Sequence, residues 1–234
     1  MFWLDQDVSV PAVMKTRRQA CETVKKRINL YVGTPYCLPT EPDRCGFCLF
    51  PSEIYQDRRQ LDTYLDYLRR EGEMFRPHLE GAELASVYFG GGTSNLYKAD
   101  QYKTLMELVS GLFQIPQHIE VTLEGIPQTF SYDKLAAMKD CGINRISMGV
   151  QQLDDDLIKA SGRKQTSEQV FRTLDTCQQL DLPVSVDLIF GWPGQTIGHV
   201  VRDLENFVKS GVNHITHYEL NIAGRTDLSR NRRS

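Results

Sequence analysis

Three cysteines lie close together in the segment YVGTPYCLPTEPDRCGFCLFP, which spans residues 31–51. Cys37, Cys45 and Cys48 have the spacing Cys-x7-Cys-x2-Cys. Thiolates are natural ligands of iron–sulfur clusters and of zinc. A closed structural zinc site prefers four ligands, and the nearest histidine is His78. A redox Cys-x-x-Cys pair would leave Cys37 unused, whereas three ligands on a cubane cluster leave one iron open, so the spacing favours an open cluster without excluding zinc or redox thiols.

A glycine-rich stretch, VYFGGGTSN, follows the second candidate strand. Gly91 and Gly92 would let the backbone approach a ligand closely, and Thr93 adds a hydroxyl group. The stretch has neither a Walker lysine nor GxGxxG spacing, so it does not predict a phosphate site. Taken alone, it is also typical of an ordinary tight turn between a strand and a helix.

A series of polar side chains lies near the ends of later strands or in the loops that follow them. These residues are Glu124, Gln151, Arg163 and Asp187. A carboxylate near a strand end suits a ribose diol, and an arginine can bind a carboxylate through two hydrogen bonds. Together they predict a polar small-molecule site near the strand ends, with Glu124, Gln151 and Asp187 facing a ligand. Glu120 and Arg145 are expected either to face a ligand or to pair with each other, and the sequence leaves both open.

Six short strand-like runs alternate with longer runs of helical periodicity. The candidate strands are residues 28–34, 86–89, 119–124, 143–150, 184–190 and 214–220. Helix starts are predicted at Ser131, Thr166 and Thr196. This alternation predicts an α/β fold with parallel strands, and six units rather than eight predict an open, partial (β/α)6 TIM-like barrel, truncated before a C-terminal domain. Polar faces on successive strands predict a lumen that admits a ligand, unlike the Val, Ile and Leu filling of a packed barrel.

Length and composition restrict the class of protein. The chain has 234 residues, of which 41% are hydrophobic and 24% charged, and its formal net charge is −3. This length supports one sizeable core, and the balanced charge gives no reason to expect a nucleic-acid partner. There is no apolar run of the ~20 residues that a membrane span needs, and the acidic N-terminus is unlike a secretory signal. We expect a cytoplasmic protein with an N-terminal arm (1–24), a core domain (25–222) and the start of a truncated C-terminal segment (223–234).

Taken in order, these motifs resemble those of the oxygen-independent coproporphyrinogen III oxidase (HemN-like) family of radical S-adenosyl-L-methionine (SAM) enzymes, which also includes haem chaperones. The resemblance runs from Tyr31 to about Gly224 and is closest in ISMGVQQLDDDLIKASGR and SVDLIFGWPGQT. It implies a radical SAM barrel in which Cys37, Cys45 and Cys48 hold a [4Fe-4S] cluster. It further implies that SAM is bound by Tyr31, Gly91, Gly92, Thr93, Glu124, Gln151, Arg163 and Asp187.

The resemblance also implies an activity. In that family the cluster and SAM supply a 5′-deoxyadenosyl radical that abstracts hydrogen from the substrate. The expected protein is therefore an oxidoreductase that acts on a porphyrinogen-like small molecule in haem biosynthesis, with an electron donor such as flavodoxin or ferredoxin. A haem chaperone and an enzyme with a non-porphyrin substrate remain as alternatives.

Three departures from the family pattern concern the substrate more than the cluster. The usual spacing is Cys-x3-Cys-x2-Cys, so the loop here has four extra residues, and such an extension adds little to the cost of loop closure. Gly33 replaces the histidine that the family has two residues after the tyrosine. Leu49 and Phe50 stand where the true coproporphyrinogen oxidases carry a further cysteine.

Overall fold

The computed structural model describes residues 10–23, 27–40 and 45–221. Its strands are β1 (Arg27–Thr34), β2 (Tyr36–Cys37), β3 (Glu53–Ile54), β4 (Glu83–Gly91), β5 (Glu120–Gly125), β6 (Arg145–Gln151), β7 (Val184–Phe190) and β8 (His214–Glu219). Its α-helices are α1 (Val10–Thr23), α2 (Arg58–Phe75), α3 (Ala99–Leu112), α4 (Tyr132–Asp140), α5 (Asp155–Ala160), α6 (Ser167–Gln179) and α7 (Ile197–Lys209). Short 3₁₀ turns cover Arg76–His78, Ser94–Leu96 and Pro127–Thr129.

The main sheet has six parallel strands in the order β1-β4-β5-β6-β7-β8. Helices follow each of the first five strands of this sheet, and the predicted strands agree with the observed ones within three residues at each end. Strands β1 and β8 are the two edges, so the sheet is open. The predicted α/β fold with a partial (β/α)6 barrel is confirmed. A separate two-stranded sheet, β2 with β3, was not predicted, because two-residue strands carry no periodicity.

The predicted helix starts are also confirmed. Ser131, Thr166 and Thr196 are N-caps, and each side chain accepts a hydrogen bond from the backbone N–H three residues further on. Such caps satisfy one of the N–H groups that a helix start leaves without an intrahelical partner. The apolar face of α2 is buried at Leu61 and Leu65.

The strands of the main sheet present different chemistry on their two faces. Alternate apolar residues pack into the buried core, including Val87, Phe89, Val121, Leu123, Ile146, Met148, Val186 and Leu188. Since side chains alternate along a strand, the intervening residues lie on the opposite, lumen-facing side. These are Tyr88, Thr122, Ser147 and Asp187, among others. The lumen is therefore lined with polar groups, as the sequence predicts.

The predicted domain boundaries stay a prediction. Helix α1 falls within the predicted arm, and the six-stranded sheet falls within the predicted core. The predicted C-terminal segment, residues 223–234, lies outside the described residues. Within the described part of the chain, no helix is long and apolar enough to cross a membrane.

Candidate functional site

The three predicted ligand cysteines lie on the segment that follows β1. Cys37 ends β2, and its carbonyl accepts a hydrogen bond from the N–H of Tyr55 (2.8 Å). The N–H of Cys48 donates to the carbonyl of Cys45 (2.9 Å), which closes a tight turn. All three thiols are free and partly buried. Burial raises the pKa of the Cys45 thiol, and the nearby thiols of Cys48 and Cys37 raise it further. The effect of both thiols on Cys45 indicates that the three sulfur atoms lie in one neighbourhood.

The cysteine segment contacts the far side of the sheet. The N–H of Gly46 donates to the carbonyl of Ser161, beyond α5 (3.0 Å). The ring of Phe47 meets the ring of Trp192 edge-on, with 5.3 Å between the ring centroids. Arg163 lies beside Cys45 and opposes the rise in its thiol pKa. The segment after β1 is thus held against the loops that follow β6 and β7, and the thiols lie beside both loops.

The predicted glycine-rich turn packs directly under the first cysteine. Gly92 N–H donates to the carbonyl of Thr34 (2.7 Å), and Thr93 N–H donates to the carbonyl of Tyr36 (2.8 Å). A Cβ atom on Gly92 would lie 2.5 Å from the Tyr36 carbonyl oxygen and 2.9 Å from Cys37 Sγ. Both approaches are shorter than real Cβ contacts, so only glycine fits there. Gly91 has a φ of +108°, which also favours glycine.

Glu124 lies near the end of β5, where it faces Tyr88 of the neighbouring strand β4 and Tyr31 of β1, the strand beyond β4. The hydroxyl of Tyr88 donates to Glu124 Oε2 at 3.4 Å. The ring of Tyr31 stacks on that of Tyr88 at 5.8 Å, and Tyr31 stays 56% exposed. Burial, and then the charge of Asp187, raise the pKa of Glu124 to about 7. A carboxyl group with such a pKa can hold or release a proton near neutrality.

The sequence predicts Asp187 near the end of its strand, and this prediction is wrong in detail: Asp187 is the fourth of the seven residues of β7. The register pairs it with Gly149, two residues before the end of β6, so it still lies close to the rim. Its Oδ2 accepts a hydrogen bond from Ser147 Oγ at 2.9 Å. The staggered register of the sheet, which is not visible in the sequence, sets the level of this carboxylate.

Gln151 is the last residue of β6 and has an unusual backbone. Its φ is +70°, in the left-handed region that few non-glycine residues adopt. The pairing of β6 with β7 shifts register between Gly149 and Gln151. Arg163 reaches the same point, since its Nη2 donates to the carbonyl of Gly149 at 2.7 Å. Strained backbone of this kind is enriched at functional sites, so the geometry supports a role for Gln151.

Asn95 is a residue of the site that the sequence analysis missed. It is fully buried, and its side chain makes two hydrogen bonds to the backbone of Ile126: Nδ2 donates to the carbonyl (2.9 Å), and Oδ1 accepts from the N–H (3.1 Å). A Cβ atom on Gly125 would lie 2.3 Å from Asn95 Cγ. Asn95 therefore joins the glycine-rich turn to the end of β5. Nothing in the residue spacing indicates this contact, because the partners are 31 residues apart.

The donor set fits an iron–sulfur cluster better than one metal ion. Among the described residues, no three His, Cys, Asp or Glu side chains converge on a single ion position. A cubane cluster needs no such convergence, because each thiolate binds a different iron atom. Free thiols are the usual ligands of such clusters. The cysteines lie next to Gly92 and to a rim that suits a polar ligand. The polar groups of this rim are those of Glu124, Asp187 and Arg163.

Glu120 and Arg145, by contrast, pair with each other. Arg145 Nη1 lies 3.4 Å from Glu120 Oε1 and donates to the hydroxyl of Thr122 at 3.2 Å. Of the two possibilities that the sequence left open, the structure supports mutual pairing.

Comparison with known proteins agrees with this arrangement. The family model of the radical SAM superfamily matches residues 17–207. The heme chaperone HemW of Buchnera aphidicola is 29% identical over 199 residues, which cover 85% of this chain and 52% of HemW. The bovine mitochondrial radical S-adenosyl methionine domain-containing protein 1 is 34% identical over 211 residues, which cover 87% of this chain and 45% of that protein. The chain spans about half the length of the curated relatives it matches.

A solved structure has the same architecture. Coproporphyrinogen III oxidase (HemN) from Escherichia coli, a radical SAM enzyme, superposes with a TM-score of 0.83 at 25% identity, over 96% of this chain and 50% of HemN. The radical SAM superfamily uses a [4Fe-4S] cluster and SAM, which agrees with the three thiols and the polar rim described above. The chain therefore belongs to the radical SAM superfamily and, within it, to the HemN-like family.

Proposed function

We propose that this chain is the core of an oxidoreductase that binds a [4Fe-4S] cluster through Cys37, Cys45 and Cys48 and abstracts hydrogen from a small molecule, in the manner of a coproporphyrinogen III oxidase. The observation that carries the proposal is the packing of free thiols beside a glycine turn that tolerates no Cβ atom. The match to the family model of the radical SAM superfamily, over residues 17–207, includes both the cysteines and this turn. Membership of the family does not by itself specify a substrate. The proposal adds a porphyrinogen-like substrate, the oxidation reaction and a role in haem biosynthesis.

The rim residues have distinct roles in this proposal. They are Tyr31, Gly91, Gly92, Thr93, Glu124, Gln151, Arg163 and Asp187, which we assign to SAM binding. When bound, the cluster and SAM supply an organic radical that removes a hydrogen atom from the substrate. The protein binds and orients SAM and the substrate, and it excludes water from the site. Carboxylates such as Glu124 and Asp187 can accept hydrogen bonds from hydroxyl groups, whereas the guanidinium of Arg163 suits a carboxylate.

Two further features support such a role. The contact between Phe47 and Trp192 packs apolar rings beside the thiols, which limits the access of water to them. Glu124, with its pKa of about 7, can hold a proton at the rim or release it near neutral pH. The proposal includes a one-electron donor such as flavodoxin or ferredoxin, and it keeps the cytoplasmic localisation expected from the sequence.

The proposal is tested by anaerobic reconstitution of the full chain with iron and sulfide. We expect about four iron atoms per chain and, after addition of dithionite and SAM, formation of 5′-deoxyadenosine and methionine. Cys37→Ser, Cys45→Ser and Cys48→Ser should each abolish both results. Cys141→Ser is the matched control, because Cys141 is a free, partly buried thiol of the helical layer, and it should behave as wild type. A colourless protein that holds no iron and leaves SAM intact would refute the proposal.

Haem binding is the second candidate function, because curated relatives carry the name heme chaperone HemW. A haem titration of the reconstituted protein separates the two. Release of carbon dioxide from coproporphyrinogen III supports the oxidase, whereas stoichiometric haem binding without loss of substrate carboxylates supports the chaperone.

A further inference from the structure

We infer that Gln165 is a positioning residue that holds Gln151 and Arg163 in one arrangement, so that the two side chains act on the same ligand. This inference rests on the proposed function of the rim, in which both residues contact SAM. Gln165 belongs to the loop between α5 and α6 and has no assigned part in the site.

The side chain of Gln165 makes two buried hydrogen bonds. Gln165 is only 3% exposed. Its Oε1 accepts a hydrogen bond from Arg163 Nε at 2.9 Å, and its Nε2 donates to the carbonyl of Val150 at 2.5 Å. One amide therefore joins the guanidinium of Arg163 to the end of β6. The side chain of a surface glutamine would exchange such bonds with water. Because Gln165 is buried, losing either bond would leave an unsatisfied polar group, which destabilises this arrangement.

The point of attachment on β6 is the strained segment of the site. The register shift lies between Gly149 and Gln151, and Val150 is the residue between them. Such irregularities interrupt the regular ladder of backbone hydrogen bonds. Here the carbonyl of Gly149 accepts from Arg163, and the carbonyl of Val150 accepts from Gln165. Two adjacent carbonyls thus bind side chains of one loop, directly before the left-handed Gln151.

Arg163 is oriented by the same contacts. Its Nε is engaged by Gln165 and its Nη2 by the Gly149 carbonyl. A guanidinium has five N–H donors in one plane, so two fixed bonds determine where the remaining donors point. The plane of Arg163 and the backbone of Gln151 are therefore set by one shared network. Although Gln165 contacts neither the thiols nor the glycine turn, its loss should change the orientation of the Arg163 guanidinium and the backbone of Gln151.

Gln165→Met tests this inference, because methionine has a similar volume but offers neither the amide donor nor the carbonyl acceptor. Gln165→Glu keeps an acceptor for Arg163 and removes the donor to Val150. Gln101→Met is the matched control: Gln101 is 2% exposed and also makes two hydrogen bonds, from Nε2 to Asp62 Oδ1 (2.6 Å) and from the Lys98 N–H to Oε1 (2.8 Å), on the outer helices.

The experiment uses the anaerobically reconstituted full chain and SAM itself as the probe. Equilibrium dialysis gives the SAM dissociation constant, and the electron paramagnetic resonance spectrum of the reduced cluster is recorded with and without SAM. We expect Gln165→Met to keep wild-type iron content, to bind SAM about 10-fold to 100-fold more weakly and to change the SAM-dependent spectral shift. Gln165→Glu should fall between it and wild type. Gln101→Met should lower the midpoint of urea unfolding and leave both SAM measurements unchanged.

The outcomes distinguish failure of this inference from failure of the proposed function. Wild-type protein that binds a cluster but no SAM would overturn the proposed function, and this inference with it. Wild-type protein that binds SAM, together with a Gln165→Met variant of equal affinity and equal spectrum, would overturn the inference alone. So would an equal loss of affinity in Gln101→Met, since the effect would then be a general consequence of lost stability. If Gln165→Met does not fold, wild-type SAM affinity in Gln165→Glu overturns the inference.

Discussion

The two ends of the lumen carry similar polar residue types, but these residues pair with each other at one end and are not fully paired at the other. At the end where the strands begin, Arg145 pairs with Glu120 and bonds to Thr122. Ser86 Oγ donates to Asn29 Oδ1 at 2.8 Å. Polar groups there satisfy one another across neighbouring strands, and such pairing needs no ligand.

At the end where the strands finish, the polar groups keep capacity for a ligand. Glu124 accepts a long hydrogen bond from Tyr88 and a backbone hydrogen bond from Gly91, yet burial and the charge of Asp187 still raise its pKa to about 7. Tyr31 leaves over half of its surface exposed, and Gln151 has a strained backbone. Ligands of parallel α/β folds bind at this end of the sheet. A polar strand face therefore indicates a ligand site only where its polar groups do not satisfy one another by hydrogen bonds and ion pairs.

The largest expected effect comes from adding one carbon atom at the glycine turn. Gly92→Ala should prevent stable cluster assembly, because its Cβ would lie 2.5 Å from the backbone oxygen of Tyr36 and 2.9 Å from Cys37 Sγ. Gly33→Ala is the control in the neighbouring strand, where the nearest atom, Tyr31 Cε1, lies at an ordinary 3.6 Å. Iron and sulfide content after anaerobic reconstitution measures the difference. Full iron content in Gly92→Ala would show that the cysteine segment can move away from this turn.

Two asparagines allow the ends of the sheet to be compared directly. Asn95 bridges to Ile126 at the site, and Asn144 makes an equivalent pair of bonds at the other end, to the carbonyl of Ile119 and the N–H of Val121 (both 2.8 Å). Asn95→Ala should cost about 3 kcal/mol, because Asn95 is fully buried and its loss leaves the N–H and the carbonyl of the half-buried Ile126 without their partner. Asn144 is exposed, so Asn144→Ala should cost about 1 kcal/mol.

Urea unfolding of both variants measures these costs, and SAM binding by the reconstituted protein supplies the second measurement. Only Asn95→Ala should weaken SAM binding, since only Asn95 joins the glycine turn to the strand that carries Glu124. Equal SAM affinities in the two variants would mean that this connection is purely structural.

Glu124 gives a pH-dependent form of the comparison. Its folded-state pKa of about 7 lies above the usual value of 4.5, so the folded protein keeps a proton that the unfolded chain has lost between these two pH values. The free energy of unfolding should therefore fall by about 3 kcal/mol as pH rises from below 4.5 to above 7 because of this group. Glu124→Gln should remove this part of the pH dependence. Unfolding curves at several pH values measure it, and identical pH profiles for wild type and variant would contradict the assignment.

Local features of the molecule could be predicted from its sequence more fully than long-range ones. The strand order along the chain, the helix caps at Ser131 and Thr196 and the three clustered thiols all depend on residues that are near each other in sequence. The bridge from Asn95 to Ile126 and the register shift before Gln151 depend on how separate strands align. Alignment is set by packing across the whole sheet, which residue spacing does not encode.

The smallest expected effect tests the end of the lumen where the groups satisfy each other. Arg145→Met removes the ion pair with Glu120, whose side chain is 54% exposed. Exposed ion pairs contribute about 0–1 kcal/mol, so the free energy of unfolding should change by no more than that. SAM affinity and 5′-deoxyadenosine formation should match wild type, because the pair lies on the opposite end of the strands from the thiols. A large loss of either would mean that Arg145 serves a ligand in addition to Glu120, and the contrast between the two ends would no longer hold.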